Sequence, residues 1–429
     1  MGVPVGRRFR CFALKVCPGQ SLSRREFESS SKTGSQRGEK SRAITDGELR
    51  LTRMLVRALL CTALHAPLPL SQIRHVIMKV PPELTPAMIA KQEERARKKS
   101  MKQTPEFKAA AAAAAAAEVE IKRAQRRQRD AQDAEVLQSW SVRDTDGYCC
   151  DLVDIGANLV KLKGAGSLEQ QLQRCSLAGV TSVLVTGTSV SGSQRAMELA
   201  ASATTPEVRL YSTAGVHPHD AKSCDETTIS ALREILRAPE VVAVGECGLD
   251  YDRMFSPRDV QLHWFEQQAR LAVEVDMPLF LHERDLDGSK GAPIGSQADL
   301  LRILEASGVQ PHRACVHCFT GSARELRAYV ERGYRIGLTG FVAMGARGAH
   351  VREAIRAGDL PLSSLMLETD APFMKPDKAH LPAVGALKRG QCEPCMVPAV
   401  CRVVAECLDL APQEVARATT ANSRSFFRL

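Results

Sequence analysis

The chain lacks any uncharged apolar run of about 18 residues or more, the length a bilayer-spanning helix needs, so no membrane insertion is expected. It lacks a convincing secretory signal. No G-x-G-x-x-G follows its first apolar run, which removes the support for a doubly wound dinucleotide-binding sheet. There is no Ser/His/Asp nucleophile elbow and no cysteine in a nucleophilic setting. The opening "MGVPVG" lacks the Ser/Thr of a myristoylation signal. Residues 1–25 lack any acid but hold six bases, among them Arg7, Arg8, Arg10 and Lys15, as in an organelle transit peptide or a gene-model extension. Cysteine is not scarce: the 14 thiols are scattered, mostly in apolar segments, as reduced and buried cysteines are in an intracellular chain. Two CxxC pairs, Cys315/Cys318 and Cys392/Cys395, stand too far apart for a zinc ribbon.

What is present is a soluble globular composition, 44% hydrophobic and 25% charged, over 429 residues. The formal charge of +9 is uneven: residues 1–150 carry 28 Lys/Arg against 16 Asp/Glu, and residues 151–429 carry 30 against 33. Residues 48–65, "ELRLTRMLVRALLCTALH", have an amphipathic helical pattern. Residues 86–135 are helix-prone and low in complexity, with an alanine run from Ala109 to Ala117 and too few apolar positions for a core. They read as a solvated helix or disordered arm, with a basic arm that holds nucleic acid as the sharper alternative. We therefore divide the chain into a basic, low-complexity extension over 1–147 and a globular domain over 148–429. Deletion of residues 1–145 is expected to leave that domain folded.

From Val153 onward short apolar runs alternate with amphipathic segments. The runs fall at 152–158, 182–188, 208–217, 241–248, 277–282, 313–319, 334–340 and 364–370. Continuous apolar strands separated by helices imply a parallel sheet buried on both faces. Eight such units match an α/β fold of the (β/α)8 TIM-barrel class.

In such a barrel the active site lies at the C-terminal strand ends. His217 and His219 end strand 3, Glu246 strand 4, His282 strand 5, His317 strand 6 and Asp370 strand 8; Asn158 ends strand 1. Two imidazoles and two carboxylates converging from equivalent strand ends form a ligand set for a divalent ion. Hydrolysis by metal-activated water is the reaction class that follows. Asp370 is placed as base, ligand or both. Arg284, on the strand face of His282, suits contacts to phosphate. The "FTGS" turn either receives an anion at a helix start or is a plain cap through Thr320 or Ser322. Strand 1 carries Asp154, Gly156 and Asn158 at a spacing of two, which predicts one shared face turned into the barrel.

Residues 151–429 resemble the TatD-type deoxyribonucleases, metal-dependent hydrolases on a TIM barrel. The matching segments are "DIGANL", "TAGVHPHD", "VVAVGECGLDYDR", "MPLFLHERD", "VHCFTGS", "GLTGFV", "LMLETDAPFM" and "ATTANSRSFF". The resemblance implies a magnesium-dependent DNase, a 3′–5′ exonuclease on single-stranded DNA, with RNA as an alternative substrate and Mn2+ or Zn2+ as alternative ions. It maps metal binding onto Glu246, His282, His317 and Asp370 and sets His217 beside the scissile phosphate. Together with the reading above, Asp370, His217 and Glu246 are the expected catalytic residues, and Arg284 and His217 the phosphate contacts. Many relatives hold two histidines where this chain has Gly156 and Asn158, so one firm metal and a second, weaker one are expected. Histidines placed at 156 and 158 are expected to tighten metal binding. Glu283 is expected to face away from the mouth, and Cys392, where relatives have Asn, to alter the packing of the last loop. The competing functions are hydrolysis of an amide or lactone, for which no carboxylated-lysine candidate stands at a strand end, and a non-catalytic nucleic-acid-binding scaffold. An intracellular, cytoplasmic location is expected, with mitochondrial or plastid targeting through the N-terminal segment as the alternative.

Overall fold

The computed structural model describes residues 86–101, 104–162, 166–202, 205–286 and 291–429. The transit-like residues 1–25 and the amphipathic stretch 48–65 lie outside the described residues. The chain divides into two units between Thr104 and Pro105. The described part of the first is the solvent-exposed helix Pro86–Met101, with one i,i+4 pair from Lys98 to Glu94 at 2.6 Å.

The second unit opens on the helix Pro105–Trp140. Its alanine run explains the helix, since Ala has the highest intrinsic propensity and needs no packing partner. Only its last turns are buried: Leu137 joins the main apolar core, and Val136 and Trp140 pack against it. Arg402 lies over the Trp140 ring at 5.1 Å and donates to the Trp140 and Ser141 carbonyls. Val142 and Cys150 continue the same contact and are tied by a backbone hydrogen bond of 2.8 Å.

Eight parallel strands follow: β1 (Leu152–Ala157), β2 (Val180–Val185), β3 (Arg209–Ala214), β4 (Val241–Asp250), β5 (Leu279–Arg284), β6 (Ala314–Val316), β7 (Arg335–Leu338) and β8 (Leu365–Leu367). Each pairs with the next in sequence order. The ring closes where Ala157 bridges Ala371 in parallel and the Asp370 N–H donates to the Gly156 carbonyl, 2.8 Å. Val153, Ile155, Leu184, Ala243, Phe280, Cys315 and Met366 fill the barrel interior. Phe426 and Phe427 of the C-terminal helix Pro412–Phe427 join that interior cluster, which explains the aromatic pair at the chain end. The larger core lies between the sheet and the surrounding helices, the arrangement that buries both faces of a parallel sheet. The helix after "FTGS" starts with a capping box between Ser322 and Glu325, so that turn is a cap through Ser322.

β1 departs from the sequence expectation. Val153 and Ile155 face the interior, so Asp154 between them faces the helical layer. Its buried carboxylate accepts from Thr369 N at 2.9 Å, Thr369 Oγ1 at 2.5 Å and Gly156 N at 3.2 Å. The pairing of β1 with β2 slips between Asp154 and Ala157. That slip breaks the two-residue alternation, so Asp154 and Gly156 do not share a face. Asp154 is a pin between the first and last strands rather than a mouth residue.

Candidate active site

β4 is the longest of these strands, and Glu246, just past its midpoint, is the centre of the site. Glu246 is buried, and its Oε1 lies 2.9 Å from His317 Nε2, 3.1 Å from His282 Nδ1 and 3.3 Å from His217 Nε2. The three rings come from the ends of β3, β5 and β6, brought together only by barrel closure. Below them the Phe280 ring stacks on His317 at 4.3 Å, forming an apolar floor. Burial works against the charge of Glu246, but His217 and His317 overrule it and hold the carboxyl well below its ordinary range. Burial alone depresses a histidine; at His317 the facing Glu246 and Glu368 win and raise it well above the ordinary value. At His282 burial is likewise outweighed by Asp250 and Glu246, and its pKa is raised. At His217 burial prevails and lowers the pKa to about 4.

Two further buried carboxylates back these rings. Asp250 Oδ2 lies 2.8 Å from His219 Nε2 and 3.3 Å from His282 Nε2. Glu368 Oε2 lies 3.3 Å from His317 Nδ1, and its Oε1 accepts the Cys318 N–H. Space for Glu368 comes from two glycines on the neighbouring strands. A Cβ at Gly156 of β1 would lie 2.4 Å from Glu368 Oε2, and one at Gly337 of β7 would lie 2.4 Å from Oε1. A side chain at position 156 therefore meets the Glu368 carboxylate and the Phe280 ring, so a histidine there fits only if these shift. Sequence reasoning passed over both carboxylates although both stand in quoted segments, "GECGLD" and "ETDAP". The available signal was spacing: Asp250 and Asp252 alternate on a strand end, and Glu368 alternates with Asp370.

Asp370 sits at the edge of the cluster. Asn158 Nδ2 donates to its Oδ1 at 3.0 Å, and Cys318 Sγ lies 3.7 Å from its Oδ2. Burial pushes Asp370 up to about 7, with His317 opposing and Glu246 and Glu368 adding to the rise. Cys392 is buried beneath this turn, its N–H donating to the Pro372 carbonyl at 3.2 Å. Arg284 is held in a fork by Asp252, with Nε at 2.8 Å and a second nitrogen at 2.8 Å. Glu283 hydrogen-bonds Ser296 Oγ at the start of the helix Ser296–Ala306, yet it also lines the mouth with the histidines rather than facing away from it, and burial pushes its carboxyl up to about 7.

The mouth is a cavity of about 380 Å³ whose rim includes Lys161, Arg253, Arg284 and Arg347. Arg284 ends β5, and Lys161, Arg253 and Arg347 come from the segments after β1, β4 and β7. A larger hollow of about 690 Å³ between the helices Val190–Ser202 and Thr228–Ile235 lacks a converging set of titratable groups and is not this site. His217, Glu246 and His282 stand close enough to hold a metal ion together. The expected set overlaps this group in Glu246 and His282; His317 touches Glu246 and Asp370 flanks it. Glu246, Asp250, Glu368 and Asp370 bring four carboxylates into this small volume. Buried acids at that density call for a cation, so the donor set fits a divalent ion.

A family model for TatD related DNases matches residues 153–428. The 3′-5′ ssDNA/RNA exonuclease TatD of Erwinia billingiae is 38% identical over 278 residues, covering 65% of this chain and 99% of the relative. The protein of the same name from Salmonella typhimurium is 35% identical over 278 residues, again 65% of this chain and 99% of the relative. Among solved structures, the TatD homologue YjjV of Escherichia coli K12 aligns with a TM-score of 0.56 and 28% identity, covering 65% of this chain and 99% of that one. With the barrel, the converging mouth and these matches together, the chain belongs to the TatD related DNase family and is a hydrolase acting on ester bonds.

Proposed function

We propose that the chain is a metal-dependent 3′–5′ exonuclease on single-stranded DNA, with RNA as a second substrate. The observation that carries this reading is Glu246 facing His282 and His317 while each of those rings has a buried carboxylate on its far nitrogen. Carboxylate-backed imidazoles are the arrangement that orients metal ligands and fixes which nitrogen is free. His282 would bind through Nδ1 and His317 through Nε2, with Glu246 between them and Asp370 at the edge. Magnesium is the ion we favour, with manganese and zinc as alternatives, in one firm site and a second, weaker one beside Asp370. A divalent ion there supplies a Lewis acid for a phosphoryl oxygen and lowers the pKa of water.

His217 has a different role. Its Nδ1 accepts the backbone N–H of His219 at 3.0 Å, so its proton resides on Nε2. With a pKa of about 4 it is neutral at pH 7 and offers an N–H to a phosphate oxygen. That tautomer makes it a donor rather than a ligand, although it stands within the metal group. Asp370, at about 7, is suited to take a proton from the attacking water. Arg284, positioned by Asp252, and the other rim cations attract the phosphate backbone.

The test is digestion of a 5′-labelled single-stranded oligonucleotide by the purified chain with magnesium or manganese. A ladder shortening from the 3′ end, stopped by EDTA, is expected. A folded sample without metal-dependent activity on DNA, RNA or model phosphodiesters overturns the reading. We place this work in the cytoplasm, and a fusion of residues 1–25 to a fluorescent reporter decides whether an organelle is the destination instead.

A further inference from the structure

Aromatic side chains are only 4% of the chain, and 12 of the 16 described ones are wholly or partly buried. Among the described residues four aromatic side chains are strongly exposed: Phe107, Tyr148, Phe255 and Phe373. One of the four, Phe373, lines the mouth, and another, Phe255, packs on His219, which lines it. Phe255, 57% exposed, packs edge-on against His219 with ring centroids 4.7 Å apart. Phe373, 52% exposed, lines the mouth three residues after Asp370.

Neither ring hangs on a loose loop. Phe373 N donates to the Asp370 carbonyl at 2.9 Å, and Ala371 between them bridges β1. Beside Phe255, the buried Ser256 donates to the His219 carbonyl at 2.9 Å and accepts from Lys222 N at 3.0 Å. Phe255 follows β4 and Phe373 follows β8. In a closed ring of eight strands paired in order, those two positions are diametrically opposed. The mouth of about 380 Å³ is small for a ligand site, so only a nucleotide-sized group enters it and the adjoining strand lies across the rim. That rim also carries the cations Lys161, Arg253 and Arg347.

We propose that Phe255 and Phe373 are a pair of base-stacking platforms on opposite sides of the mouth, which hold unpaired nucleobases next to the scissile phosphate. Fixed, exposed aromatics beside a positively charged groove are how single strands are gripped without reading their sequence. Bases paired in a duplex offer no free face to either ring, so the pair sets the preference for single strands. This inference rests on the exonuclease reading, and it concerns the strand, not the ion.

The experiment uses the full chain and two labelled oligonucleotides, one with ordinary bases and one with abasic residues near its 3′ end. Binding is read by anisotropy in EDTA and turnover with magnesium. Wild type is expected to bind the base-carrying strand more tightly than the abasic one. Phe255→Ala and Phe373→Ala are each expected to weaken binding of the base-carrying strand roughly 5- to 100-fold and raise its KM with kcat retained, collapsing the ratio between the strands. Phe→Trp at either position is expected to restore the ratio. Base-carrying and abasic strands bound equally by wild type, or a ratio untouched by the alanine variants, overturns the proposal. Base-dependent binding without metal-dependent turnover overturns the exonuclease reading and leaves the stacking pair standing.

Discussion

At the scale of single residues, the site is shaped as much by missing atoms as by charged side chains. Gly156 and Gly337 leave the space that Glu368 occupies between β7 and β1. Gly156→His is therefore expected to destabilise the fold by about 1–3 kcal/mol through overpacking, without tightening the ion. Thermal unfolding and calorimetric metal titration check this; tighter binding at an unchanged melting temperature would show that Glu368 moves aside. Asp250 is the other hidden residue, fully buried against His219 and His282. Asp250→Asn is expected to cost about 10–100-fold in metal affinity while the chain stays folded. An unaltered affinity would mean that the ring of His282 is oriented by Glu246 alone. Glu246, His282 and His317 were legible in the sequence because each ends an apolar strand. Asp250 and Glu368 were not, because a carboxylate that backs a histidine looks, in one dimension, like any other acid near a strand end.

At the scale of elements, the long helix Pro105–Trp140 has two parts with different physics. Its alanine-rich half is exposed and supported by pairs such as Lys122–Glu118 at 2.6 Å. Its last turns and the residues after it pack on the barrel through Leu137, Trp140 and Val142. Deletion of residues 1–145, expected above to leave the domain folded, therefore also removes packed residues. Deletion of residues 1–132 is expected to leave cooperative unfolding unchanged. Deletion to residue 145 removes the buried Leu137 and Val142, worth roughly 1.5–3 kcal/mol each. Urea unfolding of the two truncations separates them, and equal midpoints would show that the anchor contributes nothing. Three apolar residues after a charged stretch make no periodic stripe, so this anchor could not be read from hydrophobic pattern.

For the whole molecule, ion, proton and fold are linked. His282 and His317 have raised pKa values in the ion-free chain, so the protons they carry must leave before the rings can act as ligands. Metal affinity is expected to increase as pH rises through the neutral range, with protons released on binding. Calorimetry in buffers of different ionisation enthalpy measures that release; affinity independent of pH between 6 and 8, taken as the range about the ordinary histidine value, would exclude these rings as ligands. The same shifts set the sign for the ion-free fold. A histidine raised in the folded state contributes stability fully present below its unfolded value of about 6.5, and lost as pH rises through the folded value. Magnesium is therefore expected to raise the melting temperature more on the alkaline side than on the acid side.

The sequence by itself determined the barrel, its strand order and the strand ends that carry the chemistry. Apolar runs alternating with amphipathic helices leave a parallel sheet few other ways to bury both faces. It also determined that Glu246, His282 and His317 belong together, since equivalent strand ends meet at one mouth. Only the tertiary structure decided the rest. The slip in β1 turned Asp154 outward to Thr369, and local pairing irregularities of that kind leave no mark on composition or period. The tautomer of His217 follows from a backbone N–H two residues on, and the opposition of Phe255 and Phe373 from ring closure. Each depends on distances between residues far apart in the chain or on the path of the backbone, which hydrophobic pattern does not encode.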